Sequence, residues 1–437
     1  MSLNSHRLLL LFPHTTTKYY FDFTNGNDNN TGLRTGDPFK TIAKLNTLPL
    51  VGDDTIFLKR GEIWREMISM PDHGEGYINF KPYGDGTNPI ISGSSLNHSL
   101  YLIYPYFTFK DIIFNGAIGA NNETASVFTH DVTFNNCEFR NSANYIGASA
   151  YTDAPEGVYN VHFINCTAHD NYTSGIFIGA SGGVVNCTVQ GGTYYSNGHS
   201  VDLDHGVYVK FGTSVIGVTA YNNKSAGIKI NCEGVYTSAN NPLIERCVSY
   251  NNYFGYYVGH NKAVIQNNIA YGNTVNNIYC DTDARDNYIY NNTLVNSVNT
   301  GIKFDAIVTG AHNIIKNNIF VEDAVLMDYQ YVMDVSNMTL NTLAANNTFN
   351  NNLYYADGDT SSPILGGLTL AQWKALTGSP DATNSTIASP VFRTNYTDFH
   401  LQSSSPCKTT GANIGVNIDY DGIPRSTTPS FGAYEYR

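Results

Sequence analysis

The sequence is poor in charge and in long apolar runs, and each shortage excludes a class of protein. Only 14% of its 437 residues are charged, and 36 acidic side chains against 24 basic ones give a formal net charge of −12. Because no basic stripe offsets this acidity, we expect no nucleic-acid partner. No apolar run approaches the ~18 residues that cross a membrane, so the sequence predicts no membrane span.

Cysteine is also scarce, and its spacing excludes two uses. The seven cysteines are odd in number, widely spaced and never arranged as Cys-x-x-Cys, which argues against a disulfide framework and a structural zinc site. Four of them follow an asparagine or an arginine in similar contexts, namely Cys137, Cys166, Cys187 and Cys247. We predict that these four stack in the core as small apolar thiols.

Tyrosine (32), phenylalanine (22) and glycine (39) are abundant instead, and they occur in a repeated phrase. Segments such as VTFNNCEFRN (132–141), VHFINCTAHDNYTSGIFIG (161–179) and LIERCVSYNNYFGYYVG (243–259) recur along the chain. The equivalent position before the last strand of each unit is occupied by Gly175, Gly206, Gly227, Gly255, Asn277 and Gly301. Units this short, with strand alternation and no helical period, are typical of a β-solenoid. The sequence therefore predicts an all-β, right-handed parallel β-helix.

Both ends of the chain are interpreted as caps, because a bare terminal coil would expose a sheet edge. The predicted parts are a tail or signal-peptide remnant (1–18), an N-terminal cap with the first coils (19–95), the β-helix repeats (96–330), and the last coils with a C-terminal strand cap (331–437). Within the N-terminal cap we expect a short helix at about 39–47 and a strand at 55–59.

The two ends also resemble a known group of proteins. The opening YYFDFTNGNDNNTG with GDDTIFLKRGEIW downstream, and the closing segment from LTLAQWKALTG to FGAYEY, resemble secreted β-helix proteins of the pectate-lyase-like superfamily. The resemblance covers most of the chain and implies an extracellular, polysaccharide-active protein. It does not define a reaction, because one solenoid carries lyases, hydrolases, epimerases and non-catalytic adhesins.

Alternation along the last strand of each unit predicts which side chains point outward. In GVYVK and GIKIN, the residue after the glycine and the residue two later face the core, and the one between them faces out. The predicted outward column is Phe177, Tyr208, Lys229, Tyr257, Tyr279 and Lys303. A second outward column lies two residues further along each strand and consists of Gly179, Lys210, Asn231, Gly259, Asp281 and Asp305. Since neighbouring coils lie roughly 4.8 Å apart, the middle residues form one patch.

An aromatic and cationic patch suits a sugar chain, because rings stack on pyranose faces and lysines pair with carboxylates. The longest insertion ends beside it in an acidic segment that could hold Ca²⁺, which prefers oxygen ligands. The predicted residues are Lys229, His205, Tyr208 and Tyr257 for catalysis, Lys210, Asn231, Tyr279, Lys303 and His260 for substrate binding, and Asp202 and Asp204 for the metal.

Three functions fit these residues. The preferred one is a lyase that removes the proton next to the carboxylate of a uronate, with Lys229 or His205 as the base. Tyr208 or Tyr257 would then protonate the leaving oxygen. The second is a glycoside hydrolase, for which DHG at 204–206 faintly resembles polygalacturonases, although the paired aspartates expected one coil earlier are missing. The third is a viral tailspike or adhesin that binds a cell-surface polysaccharide. The enzyme would be a secreted monomer, and the tailspike a virion-borne homotrimer.

Overall fold

The structure is a computed structural model that describes most of the chain. The described residues are 16–119, 122–153, 157–201, 203–232, 241–260, 262–282, 284–305, 311–322, 331–335, 339–356, 367–376, 381, 384–394 and 397–437. For Cys232, His260 and residues 331–335 the description covers the backbone alone. Within this part of the chain, no helix combines the length and the apolar character needed to cross a membrane.

Three parallel sheets wind around one core, and along the repeats the chain passes from one sheet to the next in turn. Each strand pairs in parallel with the equivalent strand of the next coil, as Val132–Asn135 does with Val161–Ile164. Short strands linked by tight corners form this arrangement because each coil leaves its backbone groups to be paired by its neighbours. The predicted parallel β-helix is confirmed.

The strands of the described residues fall into these sheets as follows. Sheet A contains Lys18–Phe21, Thr55–Lys59, Ile78–Tyr83, Phe107–Lys110, Val132–Asn135, Val161–Ile164, Cys187–Gln190, Thr213–Ile216, Leu243–Glu245, Val264–Gln266, Tyr288–Tyr290, Asn313–Lys316 and Asn347–Asn350. Sheet B contains Ile63–Trp64, Ile90–Gly93, Ile113–Ala117, Glu138–Ser142, Thr167–His169, Thr193–Tyr195, Thr219–Tyr221, Val248–Tyr250, Ile269–Tyr271, Thr293–Val295, Ile319–Glu322, Leu353–Ala356 and Thr386–Ile387. Sheet C contains Leu100–Leu102, Ala125–Val127, Ala148–Thr152, Ile176–Ala180, Val207–Val209, Ala226–Cys232, Phe254–His260, Asn276–Cys280, Thr300–Phe304 and Tyr331–Val335. Two smaller pairs are Val158–Tyr159 with Val184–Val185, and Phe392–Thr394 with Asp398–Leu401.

The core is filled by inward residues that stack on the same position of the next coil. Phe109, Phe134 and Phe163 are fully buried, and their rings lie 5.2 and 5.0 Å apart in nearly parallel planes. The rings can stack because the strands pair in parallel and in constant register, which places equivalent residues of successive coils directly above one another. Stacked, buried rings contribute packing beyond their buried area.

Asparagines hold the corner between sheets B and C. Asn222 and Asn251 have φ of 54°, the left-handed conformation that asparagine tolerates. The residue after each is a buried asparagine, and Asn223 Nδ2 donates to Asn252 Oδ1 at 3.0 Å. Equivalent Nδ2-to-Oδ1 hydrogen bonds connect buried asparagines of successive coils into a ladder, which consists of Asn171, Asn197, Asn223, Asn252 and Asn273. Because a buried amide is costly without partners, this ladder locks successive coils together.

The predicted cysteine column is wrong for Cys187. All four cysteines are buried as predicted, and three of them directly precede strands of sheet B, namely Cys137, Cys166 and Cys247. Cys187 instead begins a strand of sheet A, where it lies opposite Thr213. The dipeptide Asn-Cys occurs at two different corners, because left-handed Asn165 (φ 51°) precedes sheet B whereas left-handed Asn186 (φ 52°) precedes sheet A.

The N-terminal part contains the expected helix and strand. The helix covers Ile42–Leu45, shorter than the predicted 39–47, and Thr41 caps it by accepting a hydrogen bond from Lys44 N. The strand Thr55–Lys59 has the predicted bounds. Two further helices among the described residues, Leu340–Asn346 and Leu370–Lys374, lie near the other end.

The C-terminal residues fold back over earlier coils. Arg425 is almost fully buried, forms an ion pair with Glu435 at 3.4 Å, and donates from Nη2 to Asn267 Oδ1 at 2.7 Å. Gly432 N donates to the carbonyl oxygen of Asn317 at 2.7 Å. The tail therefore covers the corner between sheets A and B.

Candidate active site

The predicted outward column of sheet C is confirmed by the strand register. Tyr208 lies opposite Lys229, and Lys229 lies opposite Tyr257 on the next strand. In full, the paired positions are Phe177, Tyr208, Lys229, Tyr257, Tyr279 and Lys303. Val207 and Val209, on either side of Tyr208, are completely buried. Since strand side chains alternate, Tyr208 and its column lie on the outer face.

Lys229 is held between two aromatic rings. Its Nζ lies 4.1 Å from the ring centroid of Tyr257 and 5.1 Å from that of Tyr208. A cation at these distances is attracted by the negative face of the ring. The side chain lies almost entirely out of water, with only 7% of the residue exposed. The position of the amine is therefore set by rings from the strand on each side.

His205 lies beside this cation and is completely buried. Its ring centroid is 5.4 Å from that of Tyr208 and 6.2 Å from that of Tyr257. His205 Nδ1 accepts a hydrogen bond from Ala226 N at 3.2 Å, so the neutral ring carries its proton on Nε2. Nε2 has no hydrogen-bond partner among the described residues. Burial, and then the positive charge of Lys229, lower the pKa of His205 well below its ordinary value. The ring is therefore a neutral hydrogen-bond donor.

Tyr257 is anchored by a carboxylate from the next coil. Its hydroxyl donates to Asp281 Oδ2 at 2.5 Å, and Asp281 Oδ1 accepts from Thr282 N at 2.7 Å. Burial and this carboxylate raise the pKa of Tyr257, so the phenol keeps its proton. Asp281 was predicted to face outward but was not assigned to the site. The sequence did contain a signal for this contact, because Asp281 occupies the second outward column one coil beyond Tyr257.

The predicted substrate-binding residues adjoin the same cluster. Asn231 Nδ2 donates to the hydroxyl oxygen of Tyr208 at 3.5 Å, and Lys210 Nζ lies 5.9 Å from the ring centroid of Tyr208. The ring of Tyr279 lies 5.0 Å from that of Tyr257, and Lys303 is paired with Tyr279. The side chain of His260 lies outside the described part of the structure. Substrate binding by these residues stays a prediction.

Asp204 is buried and bound to its own loop. Its Oδ2 accepts from the backbone N–H of His199 at 2.8 Å and of Ser200 at 2.6 Å. His199 Nδ1 lies 2.9 Å from the same oxygen. Asp202 lies outside the described residues, and the described ones contain no group of three or more His, Cys, Asp or Glu side chains placed to hold a metal. Asp204 as described organises the insertion, and a calcium ion held with Asp202 stays a prediction.

Comparison with known proteins gives structural matches only. No protein-family model matches this chain, and no curated protein matches it either. The pectate lyase Pel9A superposes with a TM-score of 0.57 at 17% identity, over 97% of each chain. XylC, solved in complex with xylose, superposes with a TM-score of 0.63 at 11% identity, over 96% of this chain and 98% of its own. The A-module of the mannuronan C-5 epimerase AlgE6 from Azotobacter vinelandii gives 0.54 at 14% identity, over 77% of this chain and 91% of its own.

This chain has the right-handed parallel β-helix fold that these solved structures share. Identities this low establish the fold and leave the reaction to be argued from the site.

The β-helix brings all four residues predicted as catalytic into one cluster. Tyr208, Lys229 and Tyr257 come from three adjacent strands of sheet C, and His205 comes from the corner that precedes the first of them. An amine, two phenols and an imidazole within contact distance are groups that move protons. In this β-helix the cluster lies between Phe177 on one side and Lys303 on the other, which is a surface that can bind an extended chain.

Proposed function

We propose that this protein is a carbohydrate-active enzyme that cleaves a uronate-containing polysaccharide by β-elimination. One observation carries the proposal: Lys229 is fixed between Tyr208 and Tyr257, beside the buried neutral His205, on an outward aromatic and cationic stripe. A glycoside hydrolase needs a pair of carboxylates around the scissile bond. The groups gathered here are suited to proton removal next to a carboxylate instead.

The base in this mechanism is Lys229 as the free amine. It takes the C5 proton of the uronate, and the electron pair of that C–H bond forms a double bond between C4 and C5. The C4–O4 bond breaks, and its electron pair leaves with the oxygen. Lys229 rests as the ammonium between the two rings, and it acts as the base once it has released its proton. His205 is a weaker candidate for the base, because its Nδ1 lone pair is already used by Ala226 N.

The acid in this mechanism is Tyr208. The hydroxyl proton of Tyr257 is directed at Asp281, so the leaving oxygen takes its proton from the phenol on the other side of Lys229. The resulting phenolate of Tyr208 recovers a proton from the Lys229 ammonium, directly or through water, and the site is reset. During the step, Lys210 and the newly formed Lys229 ammonium stabilise the carboxylate and the enolate.

The test is a polysaccharide panel that contains uronate polymers and neutral polymers. Growth of ultraviolet absorbance from the unsaturated uronate, together with new reducing ends, is the expected result on at least one uronate polymer. Reducing ends without that absorbance would instead establish hydrolysis. Retained binding without any product would refute the enzyme and favour the adhesin or tailspike. Size-exclusion chromatography with light scattering, run on the same sample, separates a monomer from the trimer expected of a tailspike.

A further inference from the structure

A cavity of about 400 Å³ opens on sheet C directly beside the proposed catalytic cluster. Its walls come from the outward column, from the corner before sheet C, and from the long insertion that precedes His205. Phe177 and Tyr208 form the wall on the sheet, and Leu203 stands on the insertion. Tyr208 therefore belongs both to this cavity and to the cluster around Lys229.

The walls of the cavity are mainly apolar. Phe177, Tyr145, Ile146 and Leu203 all face it. Leu203 is 71% exposed, so its apolar side chain stands at the rim of the cavity, where a ligand can cover it. The ring planes of Phe177 and Tyr208 are 5.0 Å apart at their centroids and tilted by 47°, so together they form a concave aromatic wall.

The charged side chains that line the cavity are already paired with each other. The carboxylate of Asp204 is bound to His199, which also lines the cavity, and to the loop backbone. No lysine or arginine lines the cavity in the described part of the chain. A bound carboxylate would thus lose its hydration without gaining a cation, which is costly.

The two sides of Tyr208 consequently differ in charge. Lys229 and Lys303 lie on one side along the column, together with the carboxylates of Asp281 and Asp305, whereas the apolar cavity lies on the other. Phe177 and Lys229 are two strands apart on opposite sides of Tyr208, a separation of roughly 10 Å. A polysaccharide that crosses both sides would place an anionic sugar at Lys229 and a neighbouring, different sugar in the cavity.

We infer that the cavity is a subsite for an uncharged sugar that carries a methyl group, either a 6-deoxy sugar or an O-acetylated one, next to the uronate that is cleaved. The methyl group covers the wall formed by Phe177 and Leu203. This inference rests on the proposed function for the identity of the neighbouring sugar. The occupancy of the cavity itself is independent of any reaction.

The experiment measures binding of small glycosides to the full chain by ligand-observed NMR, without turnover. The probes are a methyl 6-deoxyhexoside, the corresponding 6-hydroxy hexoside, an O-acetylated hexoside and a methyl hexuronide. We expect the 6-deoxy or the acetylated probe to bind at least fivefold more tightly than the 6-hydroxy probe, and the outcome for these two identifies the source of the methyl group. We expect the hexuronide not to compete for the cavity.

The matched variants are Leu203→Asp and Leu33→Asp. Both leucines are exposed, at 71% and 55%, so neither change disturbs the core, and only Leu203 lines the cavity. We expect Leu203→Asp to weaken the preferred probe about fivefold to tenfold, and Leu33→Asp to leave it unchanged. Equal affinities for the 6-deoxy, acetylated and 6-hydroxy probes, or equal binding by both variants, would overturn the inference.

This test separates the two proposals. If the methyl-bearing probe binds in the cavity but no uronate polymer yields an unsaturated product, the subsite stands and the lyase fails. If a uronate polymer is cleaved but no probe discriminates, the lyase stands and the subsite fails.

Discussion

Replacement of Lys229 by methionine is the most direct test of the proposed site. Methionine has nearly the length of lysine and fills the same space between Tyr208 and Tyr257, but it has no amine. The change therefore removes the base and leaves the packing. The cation–π contacts at 4.1 and 5.1 Å are lost, at about 0.5–2 kcal/mol each, and sulfur–aromatic contacts return about 0.3–1.5 kcal/mol each. We expect the free energy of unfolding to change by about 3.5 kcal/mol at most.

The effect of Lys229→Met on turnover should be much larger. A positioned general base contributes roughly 10²–10⁴-fold, which corresponds to about 3–5.5 kcal/mol of activation free energy. The lost interaction is made during proton transfer, so kcat and kcat/KM should fall together while KM changes little. The assay is the initial rate of unsaturated-uronate absorbance on whichever polymer the wild-type protein cleaves.

A matched control is Lys110→Met. Lys110 ends a strand of sheet A, is exposed there, and lies several coils before the strand that carries Lys229. It tests whether loss of one positive charge from this acidic protein is enough to slow binding of a polyanion. Wild-type kcat in Lys229→Met, or an equal loss in both variants, would refute Lys229 as the base. A loss of turnover accompanied by unfolding would be seen as a shifted denaturation midpoint.

Tyr208→Phe should lower kcat at least a hundredfold, whereas Tyr257→Phe, which keeps its ring against Lys229, should lower it less than tenfold; the reverse order would exchange their roles. His205 has a lowered pKa in the folded protein, so below the ordinary imidazole value of 6.5 the unfolded chain takes up a proton that the folded chain does not, and stability falls with acid. His205→Gln should flatten that dependence in urea titrations performed above and below this value, and an unchanged slope would contradict the burial argument. Asn223→Ala should cost about 3 kcal/mol of unfolding free energy, because it removes buried side-chain hydrogen bonds to Asn197 and Asn252 on the two neighbouring coils, and a cost below about 1 kcal/mol would show that the ladder is not stabilising. Removal of divalent cations with a chelator should lower turnover, and added Ca²⁺ should restore it, if Asp202 and Asp204 hold calcium; undiminished turnover would rule that prediction out.

The fold, and the set of outward residues that form the site, can be predicted from the sequence because a solenoid is nearly one-dimensional. Each coil contacts mainly its neighbours, so the repeat itself defines which residues stack. Alternation of two residues then separates inward from outward side chains. This is why Tyr208, Lys229 and Tyr257, which are about 20 to 30 residues apart, were predicted as one patch and are found in one register.

The corners are less well determined by the sequence. Cys187 was assigned to the wrong column because an asparagine in the left-handed conformation precedes strands of both sheet A and sheet B, and the letters Asn-Cys look the same at either. The hydrogen-bond register distinguishes them, and it depends on the path of the whole coil. Local patterns do not carry that information.

The sequence by itself determined the β-helix, the outward column and the identity of the clustered residues, since all three depend on periodicity. Only the tertiary structure decided which hydrogen-bond partners each of these side chains has. It showed that Ala226 N occupies Nδ1 of His205, that Asp281 reaches Tyr257 from the next coil, and that Asp204 is bound to its own loop. It also placed the insertion so that Leu203 closes a cavity on sheet C. These features depend on how an irregular segment packs against a regular surface, and no repeat encodes that packing.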